Sequence, residues 1–363
     1  MATYYELCGG NKKLSEIVVA GSHDAAITSG ASNVQTQNLD IYEQAMAGVR
    51  VYDLRICAIK NGNSAELVSY HSGWKSERST KVNGLKTSKL RVGASSMALD
   101  DVLTQATVFV NDKPTEFLIL KFDKCTNWGA IATQCVRIAG SKLFTQAGNI
   151  NLRTLDELKG KVVVVFSEKG LEKAAIETNM SRQQLNACGI FGFKNLYSKD
   201  SPSVYDANYS GLQYLGKGGT SVKKVWSSST DKTQENFKKQ LKIMTEMAGE
   251  IPENGDVVGM MYWTSTGLRQ SIQERNQTMW LDGGQGMQGL WNDCLEQHLT
   301  KVCQSRYRLG PIHVSSTPFK TFLPNIVMID FANIQKCDAI KALNNIANVQ
   351  IAKAMSVEPT MYN

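Results

Sequence analysis

The stretch Ile17-Val18-Val19-Ala20-Gly21-Ser22-His23-Asp24 decides how the chain is expected to fold, because a short apolar run passes directly into two ionisable residues. Apolar, β-branched runs of this length, bounded by polar residues, are typical of buried parallel strands. The pattern recurs at residues 49–56, 67–71, 117–122, 162–166, 257–263 and 326–331, and an eighth strand is predicted near residues 222–226.

Amphipathic segments separate the predicted strands. Their apolar residues follow helical spacing most clearly at residues 99–110, 237–248 and 336–354. Ser95 or Ser96 is a candidate N-cap for the first of these helices. Alternating strands and helices favour an α/β fold, and eight such units close into a barrel. We therefore predict a single TIM (β/α)8-type barrel over residues 1–363, fully or incompletely closed, with a doubly wound open sheet as the competing architecture.

The composition is that of a globular protein with a modest positive charge. The chain has 363 residues, of which 42% are hydrophobic and 20% are charged, and its formal net charge is +7. This charge does not by itself indicate a nucleic-acid partner, and it favours approach to an anionic membrane surface or a phosphorylated substrate. Six basic residues lie between Lys75 and Arg91, either as a solvated loop or as a contact for phosphate or anionic lipid.

The cysteines do not predict a metal site. Eight are present, without a CxxC pair or a Cys/His cluster of zinc-binding spacing. Most are expected to be buried thiols, although Cys125 with Cys135, and Cys294 with Cys303, are close enough in sequence to bridge loops. No basic and apolar leader begins the chain, so the protein is expected to be exported by another route or to stay in the cytoplasm.

Three further features of the sequence are interpreted as structural rather than functional. Residues 284–289 formally match G-x-G-x-x-G, but no apolar strand precedes them, so a flexible loop is favoured over a dinucleotide site. His298 and His313 lack acidic or cysteine neighbours and are predicted to be surface or structural residues. Residues 198–230, rich in Ser, Gly and Tyr, are predicted to form a long loop.

Ionisable residues gather at the ends of the predicted strands. Buried charges are costly unless they are paired or used in chemistry, and in a barrel the C-terminal strand ends are where catalytic side chains meet. Strand alternation places Asp53 and Arg55 on one face of the second run. Five predicted strands end in ionisable residues, which are His23, then Asp53 and Arg55, then His71, then Lys121 and Asp123, and finally Asp330.

These residue types suit cleavage of a phosphodiester. A general base must take a proton from the attacking hydroxyl and a general acid must give one to the leaving oxygen, and histidine can do both near neutral pH. An arginine can stabilise charge on the phosphoryl oxygens with two parallel hydrogen bonds. Carboxylates behind each imidazole would fix its tautomer and stabilise its charged form.

The ordered set of motifs resembles the phospholipase C X-domain superfamily. Residues 18–25 resemble its opening motif of an apolar strand, Gly, Thr or Ser, and His-Asp. Residues 48–55 are similar to its second strand in the bacterial Asp-x-Arg form. Tyr70-His71-Ser72-Gly73 resembles the strand with the second histidine, and residues 324–331 resemble the final strand, which ends in an aspartate. The resemblance is clearest over residues 14–125.

The resemblance implies a role for each matched residue. His23 would be the general base, oriented by Asp330, and His71 the general acid, oriented by Asp24. Arg55 would bind the phosphate in place of a metal, because the calcium-dependent branch carries an acid at that position. No cofactor is therefore expected, and calcium is disfavoured.

The remaining carried-over residues would contact the substrate. Asp53 would support Arg55 and the attacking hydroxyl, and Lys121, Asp123 and Tyr209 would bind the headgroup. The chain departs from the bacterial pattern at the end of the fifth run, where Ser167-Glu168 stands in place of a substrate-binding arginine.

The implied function is that of a bacterial phosphoric diester hydrolase or lyase. It would cleave an inositol phospholipid or a similar phosphodiester through a cyclic phosphate, as a monomer in peripheral contact with an anionic membrane, and without nucleic acid. Two alternatives stay open. One is a catalytically silent barrel that binds phosphoinositide headgroups, and the other is a metal-dependent phosphodiesterase acting on glycerophosphodiesters or sphingolipids.

Overall fold

Eight parallel strands close into a barrel in the computed structural model, which describes residues 2–196, 205–217, 234–240, 257–264, 271–280 and 324–356. The strands of the chain are β1 (Val19–Ser22), β2 (Val49–Leu54), β3 (Ile56–Asn61), β4 (Ser64–Val82), β5 (Leu85–Ala98), β6 (Leu118–Phe122), β7 (Val162–Ser167), β8 (Ile190–Asn195), β9 (Gly211–Lys217), β10 (Val258–Trp263) and β11 (Ile326–Ile329). The barrel order is β1-β11-β10-β9-β8-β7-β6-β2. The predicted TIM-type barrel is confirmed, and it is closed.

The strands β3, β4 and β5 form an excursion between the second and third strands of the barrel. β4 pairs antiparallel with both β3 and β5, and the three strands close on themselves. The prediction that residues 67–71 form a barrel strand is therefore wrong, since they lie inside β4. The apolar run arises because Leu67 and Val68 are buried against the barrel's outer layer.

Two barrel strands were missed in the sequence. β8 was not predicted, and β9 lies within the segment 198–230 that was predicted to be a loop. Both strands contain glycines where they pair, at Gly192 and Gly211, and this weakens the apolar pattern. The strand predicted near residues 222–226 lies outside the described residues.

Helices cover the outside of the barrel. Ala98 precedes the helix predicted from residue 99, whereas the candidate caps Ser95 and Ser96 lie in β5, so that prediction of the cap is wrong. The helix predicted at residues 336–354 is confirmed, and of the one predicted at 237–248 the part up to residue 240 is described and helical. The helices are α1 (Tyr4–Cys8), α2 (Ile41–Ala47), α3 (Leu99–Asp112), α4 (Trp128–Ala139), α5 (Leu155–Leu158), α6 (Glu168–Thr178), α7 (Arg182–Ala187), α8 (234–240), α9 (Ile272–Trp280) and α10 (Ile334–Ser356).

The core has two layers that follow from strand alternation. Val51 and Ile119 point into the barrel, while their neighbours Tyr52 and Leu120 pack outward against the helices. Continuing the same alternation brings Asp53 and Lys121 to the inner face at the C-terminal end of the barrel. The strand period therefore determines which charged residues reach the interior.

The opposite end of the barrel is held by a buried ion pair. Nε of Arg50 lies 2.6 Å from Oε2 of Glu116, and the backbone N–H of Tyr4 donates to the other carboxylate oxygen at 2.8 Å. Arg50 also donates to the carbonyl oxygens of Ala45 and Val49. The pair thus joins α1 and the end of α2 to the strands β2 and β6.

The described part of the chain contains no helix that is long and apolar enough to cross a membrane. Cys125 and Cys135 are free thiols in the buried layer, so the bridge considered between them is absent. Cys294 and Cys303, the residues 284–289, His298 and His313 lie outside the described residues, and the assignment of all 363 residues to one domain stays a prediction.

Replacing Arg50 by methionine should destabilise the fold, because Glu116 would be left buried without its cation. We expect the free energy of unfolding to fall by about 3–5 kcal/mol in urea denaturation at pH 7. The matched control is Arg137→Met, which removes an exposed partner of Asp100 at 3.0 Å and should change the unfolding midpoint little. Equal losses in the two variants would contradict this account of the ion pair.

Candidate active site

A polar cavity of about 400 Å³ opens at the C-terminal end of the barrel strands. Its walls come from the ends of six barrel strands and from the β3–β5 excursion. Its lining residues are His23, Asp24, Asp53, Arg55, His71, Lys121, Asp123, Lys124, Asn195, Tyr214, Gly216, Tyr262 and Thr264. The structure thus brings the histidines and most of the ionisable residues predicted from the sequence to one place.

His23 is held by Asp330 from the neighbouring strand. β1 pairs in parallel with β11, so the residues that follow the two strands lie side by side. Nδ1 of His23 lies 2.9 Å from Oδ1 of Asp330, and both side chains are buried. A carboxylate on Nδ1 keeps the proton of the neutral imidazole on that nitrogen, which leaves the lone pair on Nε2.

The electrostatic surroundings of His23 favour its protonated form. Burial opposes the charge, but the carboxylates of Asp24 and Asp330 outweigh burial and raise the pKa of His23 above the ordinary value of 6.5. The resulting attraction stabilises the fold most below about pH 6.5 and is lost as the pH rises through the raised pKa. Burial also raises the pKa of Asp330, against the opposing effect of His23.

Asp24 connects the other catalytic candidates. Its Oδ2 accepts a hydrogen bond from Nδ1 of His71 at 2.8 Å and lies 3.5 Å from Nε2 of His23. Its Oδ1 lies 2.9 Å from Nε of Arg55, in an ion pair without hydrogen-bond alignment. Burial disfavours the charge on Asp24, but Arg55 and the two histidines outweigh burial and hold the pKa of this carboxyl well below its usual range.

The β3–β5 excursion delivers His71 to the cavity. His71 lies within β4 and pairs with Ala94 of β5, so it does not sit at the end of a barrel strand as predicted. The strand is anchored next to it, because the N–H of Tyr70 donates to the carbonyl of Arg55 and its hydroxyl donates to the carbonyl of Lys124 at 2.6 Å. His71 and Arg55, which both contact Asp24, are therefore linked by a backbone hydrogen bond through Tyr70, the neighbour of His71.

Asp53 pairs with Lys121 rather than with Arg55. The ammonium of Lys121 lies 2.8 Å from Oδ1 of Asp53 and 4.5 Å from the centre of the Phe193 ring, and both charged groups are buried. Strand register sets Lys121 opposite Asp53, so the ion pair of Asp53 is with Lys121, and the role predicted for Asp53 in supporting Arg55 stays a prediction. Asp53 acts on Arg55 only through its charge, which helps to raise the pKa of that group against burial.

The predicted headgroup residues divide into two groups. Lys121 and Asp123 line the cavity. Tyr209 does not, because its hydroxyl donates to the carboxylate of Glu168, which Arg182 also binds through two hydrogen bonds. A side chain at Gly192 would collide with this group, which places it on the outer face of the barrel, since the neighbouring Phe193 points inward.

Of the comparisons with known proteins, the one with solved structures identifies the fold. No family model matches the sequence, and no curated protein matches it significantly. A phosphatidylinositol-specific phospholipase C from Listeria monocytogenes matches with a TM-score of 0.50 at 14% identity, over 94% of this chain and 98% of that one. The chain has the fold of a bacterial phospholipase C. The resemblance seen in the sequence is confirmed at this level.

Two further solved structures are also similar to this chain. A phosphatidylinositol-specific phospholipase C from Staphylococcus aureus, carrying pentafluoro-phenylalanine, gives a TM-score of 0.48 at 15% identity over 94% of this chain and 96% of that one. A calcium-dependent phosphoinositol-specific phospholipase C from a Pseudomonas species gives 0.40 at 13% identity, over 72% and 87%.

The phospholipase C fold places further residues at the cavity that sequence reasoning missed. Tyr262 meets the His23 ring edge-on at 5.9 Å between ring centres, and Tyr214 and Asn195 line the same cavity. Tyr262 could have been found, because it lies in the predicted run 257–263 in phase with inward-facing Met260. Tyr214 and Asn195 could not, since neither β8 nor β9 was predicted.

Two carboxylates at the cavity form ion pairs with basic side chains of the protein. His23, Asp24 and Asp53 offer ligand atoms within 4.8 Å of one another. The two carboxylates are already paired, one with Arg55 and the other with Lys121. A divalent ion between them would be repelled by the guanidinium of Arg55 and the buried ammonium of Lys121.

Replacing Asp330 by asparagine should lower the pKa of His23, because it removes one of the two carboxylates that raise it. The measurement is a titration of 15N-labelled histidine side chains by NMR, with the His23 signal assigned by its loss in His23→Gln. Asp123→Asn is the matched control, since this carboxylate lines the cavity without contacting His23. A His23 pKa that is unchanged in Asp330→Asn would refute the proposed electrostatic coupling.

Proposed function

We propose that this protein is a phosphodiesterase of the phospholipase C type that cleaves a phosphodiester with a polyol headgroup, such as an inositol phospholipid. One observation carries the proposal. Two imidazoles face one cavity, each hydrogen-bonded through Nδ1 to a buried carboxylate, and Arg55 contacts the carboxylate beside both of them. This arrangement supplies a base, an acid and a phosphate-binding cation within a single polar pocket.

His23 acts as the general base in the first step. It acts in its neutral form, which it reaches as the pH rises through its raised pKa, and Nε2 then carries the lone pair because Asp330 holds the proton on Nδ1. Nε2 takes the proton of a substrate hydroxyl that neighbours the phosphate, and the hydroxyl oxygen attacks phosphorus. The new P–O bond closes a cyclic phosphodiester.

His71 acts as the general acid in the same step. Asp24 binds Nδ1 of His71, which directs the second N–H of the imidazolium toward the substrate. As the P–O bond to the leaving alcohol breaks, Nε2 of His71 gives its proton to the departing oxygen. The alcohol then leaves neutral, and water can open the cyclic product with the two histidines in exchanged roles.

Arg55 stabilises the phosphoryl oxygens without a metal ion. Within the described residues it forms an ion pair with Asp24 alone, through Nε, so its terminal nitrogens are available for two parallel bonds to phosphate. Burial opposes its charge, but the surrounding carboxylates outweigh burial and keep the pKa of Arg55 above its usual value. Arg55 therefore stays charged throughout the reaction.

The cavity suits a polyol headgroup. At about 400 Å³ and with a mostly polar lining, it holds a sugar-sized group while leaving acyl chains outside. Asp123 can bind hydroxyl groups, and the apolar faces of a polyol can pack on the rings of Tyr214 and Tyr262. The Listeria neighbour is described as phosphatidylinositol-specific, which supports inositol as the first headgroup to test.

The β4–β5 hairpin supports contact with an anionic membrane. It carries Lys81, Lys86 and Lys89, which are exposed, on the same strands that deliver His71. A lysine-bearing hairpin beside the cavity would draw an anionic leaflet toward the site, as the net charge of +7 also favours. A protein that acts on such lipids outside the cell would have to be exported, and we expect it to act as a monomer.

Removal of either imidazole should abolish turnover. We expect His23→Gln and His71→Gln each to lower kcat on phosphatidylinositol vesicles by roughly 10²- to 10⁴-fold, because each loses one proton transfer. Far-ultraviolet circular dichroism should show that both variants stay folded, and phosphorus NMR should detect a cyclic phosphate only with the wild type. Headgroup binding without any product would instead support the catalytically silent barrel.

Chelation of metal ions should leave activity unchanged, because Arg55 and Lys121 supply the positive charge. We expect full turnover in EDTA, and a loss of roughly 10²- to 10³-fold in kcat for Arg55→Lys, which removes the paired hydrogen bonds but keeps the charge. Lys89→Arg, an equally conservative change on the hairpin, serves as the control for general effects on the protein. Loss of wild-type activity in EDTA, restored by magnesium or calcium, would overturn the metal-free scheme.

A further inference from the structure

Two loops carry the His23–Asp330 pair, and a third segment joins them. One loop follows β1 and contains His23 and Asp24, and the other follows β11 and contains Asp330 and Phe331. The two consecutive residues Thr36 and Gln37, here called the clasp, lie against both loops. The clasp residues are fully buried although both are polar.

The side chain of Gln37 satisfies backbone groups of both loops at once. Its Nε2 donates to the carbonyl oxygen of His23 at 3.1 Å and to that of Ile329 at 3.2 Å. Its Oε1 accepts the N–H of Ala332 at 2.9 Å. These three bonds connect the side-chain amide of Gln37 to the backbone of His23 and to the backbone on either side of Asp330.

Thr36 also bonds to both loops, through its hydroxyl and its backbone carbonyl. Its hydroxyl donates to the carbonyl oxygen of Asp24 at 2.8 Å, and its carbonyl accepts the N–H of Phe331 at 2.7 Å. Asp24 and Phe331 both have positive φ angles, of 42° and 49°, which residues with a side chain adopt at a cost. The clasp therefore holds the one strained residue in each loop.

We propose that the clasp is a positioning element that sets the distance between His23 and Asp330, with Gln37 as its principal residue. The inference rests on the proposed function for its effect on turnover, but the geometry that it describes does not depend on any substrate. The two loops that make the 2.9 Å contact are connected by the clasp bonds, by the strand pairing, and by the bond from the N–H of His23 to the carbonyl oxygen of Ile329 at 3.0 Å.

A nearby glutamine shows that such bonding is not a general property of this loop. Gln35 also makes three side-chain hydrogen bonds, but all of them end on Thr28, Gln37 and Asn38 within its own segment. Gln37, two residues later, directs all three of its side-chain bonds to the loops that carry His23 and Asp330. The side chain of Gln35 therefore stabilises its own segment, whereas the side chain of Gln37 connects two other loops.

The test uses Gln37→Met, which keeps the length of the side chain and removes all three bonds. Gln213→Met is the matched control, because Gln213 is equally buried and bonds both its amide atoms to the backbone of Asp206, away from His23. Thr36→Val is the second variant, since it keeps the shape and removes only the hydroxyl bond. The readouts are the His23 titration by NMR, the thermal midpoint, and kcat and KM on phosphatidylinositol.

We expect Gln37→Met to lower the pKa of His23 toward its ordinary value, because the contact with Asp330 loosens. On substrate, kcat should fall roughly 10- to 100-fold while KM stays within about threefold of the wild type. Thr36→Val should move both quantities in the same direction by less. Gln213→Met should lower the thermal midpoint and leave the His23 titration and kcat at wild-type values.

The proposal is overturned if Thr36→Val and any folded Gln37 variant titrate His23 as the wild type does, or if Gln213→Met shifts the titration equally. The NMR readout needs no turnover. A wild-type protein without phosphodiesterase activity would therefore refute the proposed function, while the His23 titration would still decide the role of the clasp.

Discussion

The buried carboxylate of Asp24 is the group on which the rest of the site depends. It contacts His71 at 2.8 Å, Arg55 at 2.9 Å and His23 at 3.5 Å, and it is almost fully removed from water. A lone carboxylate in this position would be protonated, because burial disfavours its charge. Its three partners reverse that preference, so each of them is bound to the site by the same negative charge.

The charge balance of this cluster favours one positively charged imidazole. Asp24 and Asp330 bring two negative charges and Arg55 brings one positive charge. A single imidazolium makes the cluster neutral, whereas two would leave it positive and none would leave it negative. The low dielectric of a buried site favours the neutral combination. The carboxylates of Asp24 and Asp330 favour that charge on His23, so His23 becomes available as the proposed base as the pH rises through its raised pKa.

Much of the site could be predicted from the sequence because barrel geometry is regular. His23, Arg55 and Asp330 follow apolar runs, and parallel pairing of β1 with β11 and β2 brings such strand ends together. His71 also lines the cavity, but the element that carries it was not predicted from the sequence. Its apolar run matches a barrel strand in pattern, yet it belongs to an antiparallel excursion whose register is set by long-range pairing with β5.

Other features were beyond the reach of pattern reasoning for identifiable reasons. The partner of Asp53 depends on the register between β2 and β6, which places Lys121 directly opposite. Tyr209 has the residue type of a headgroup contact, but its hydroxyl is taken by Glu168 on the outer face. Thr36 and Gln37 carry no sequence signal, because their importance lies in bonds to segments that are distant in the chain.

In the proposed reaction, His23 takes a proton from the nucleophile whereas His71 gives one to the leaving group. The most direct measurement compares His23→Ala and His71→Ala on two inositol phosphodiesters, one with an alkyl alcohol and one with nitrophenol as the leaving group. Nitrophenol leaves without a proton, so His71→Ala should regain most of its lost kcat on that substrate while His23→Ala should not. Equal recovery by both variants, or by neither, would contradict the assignment.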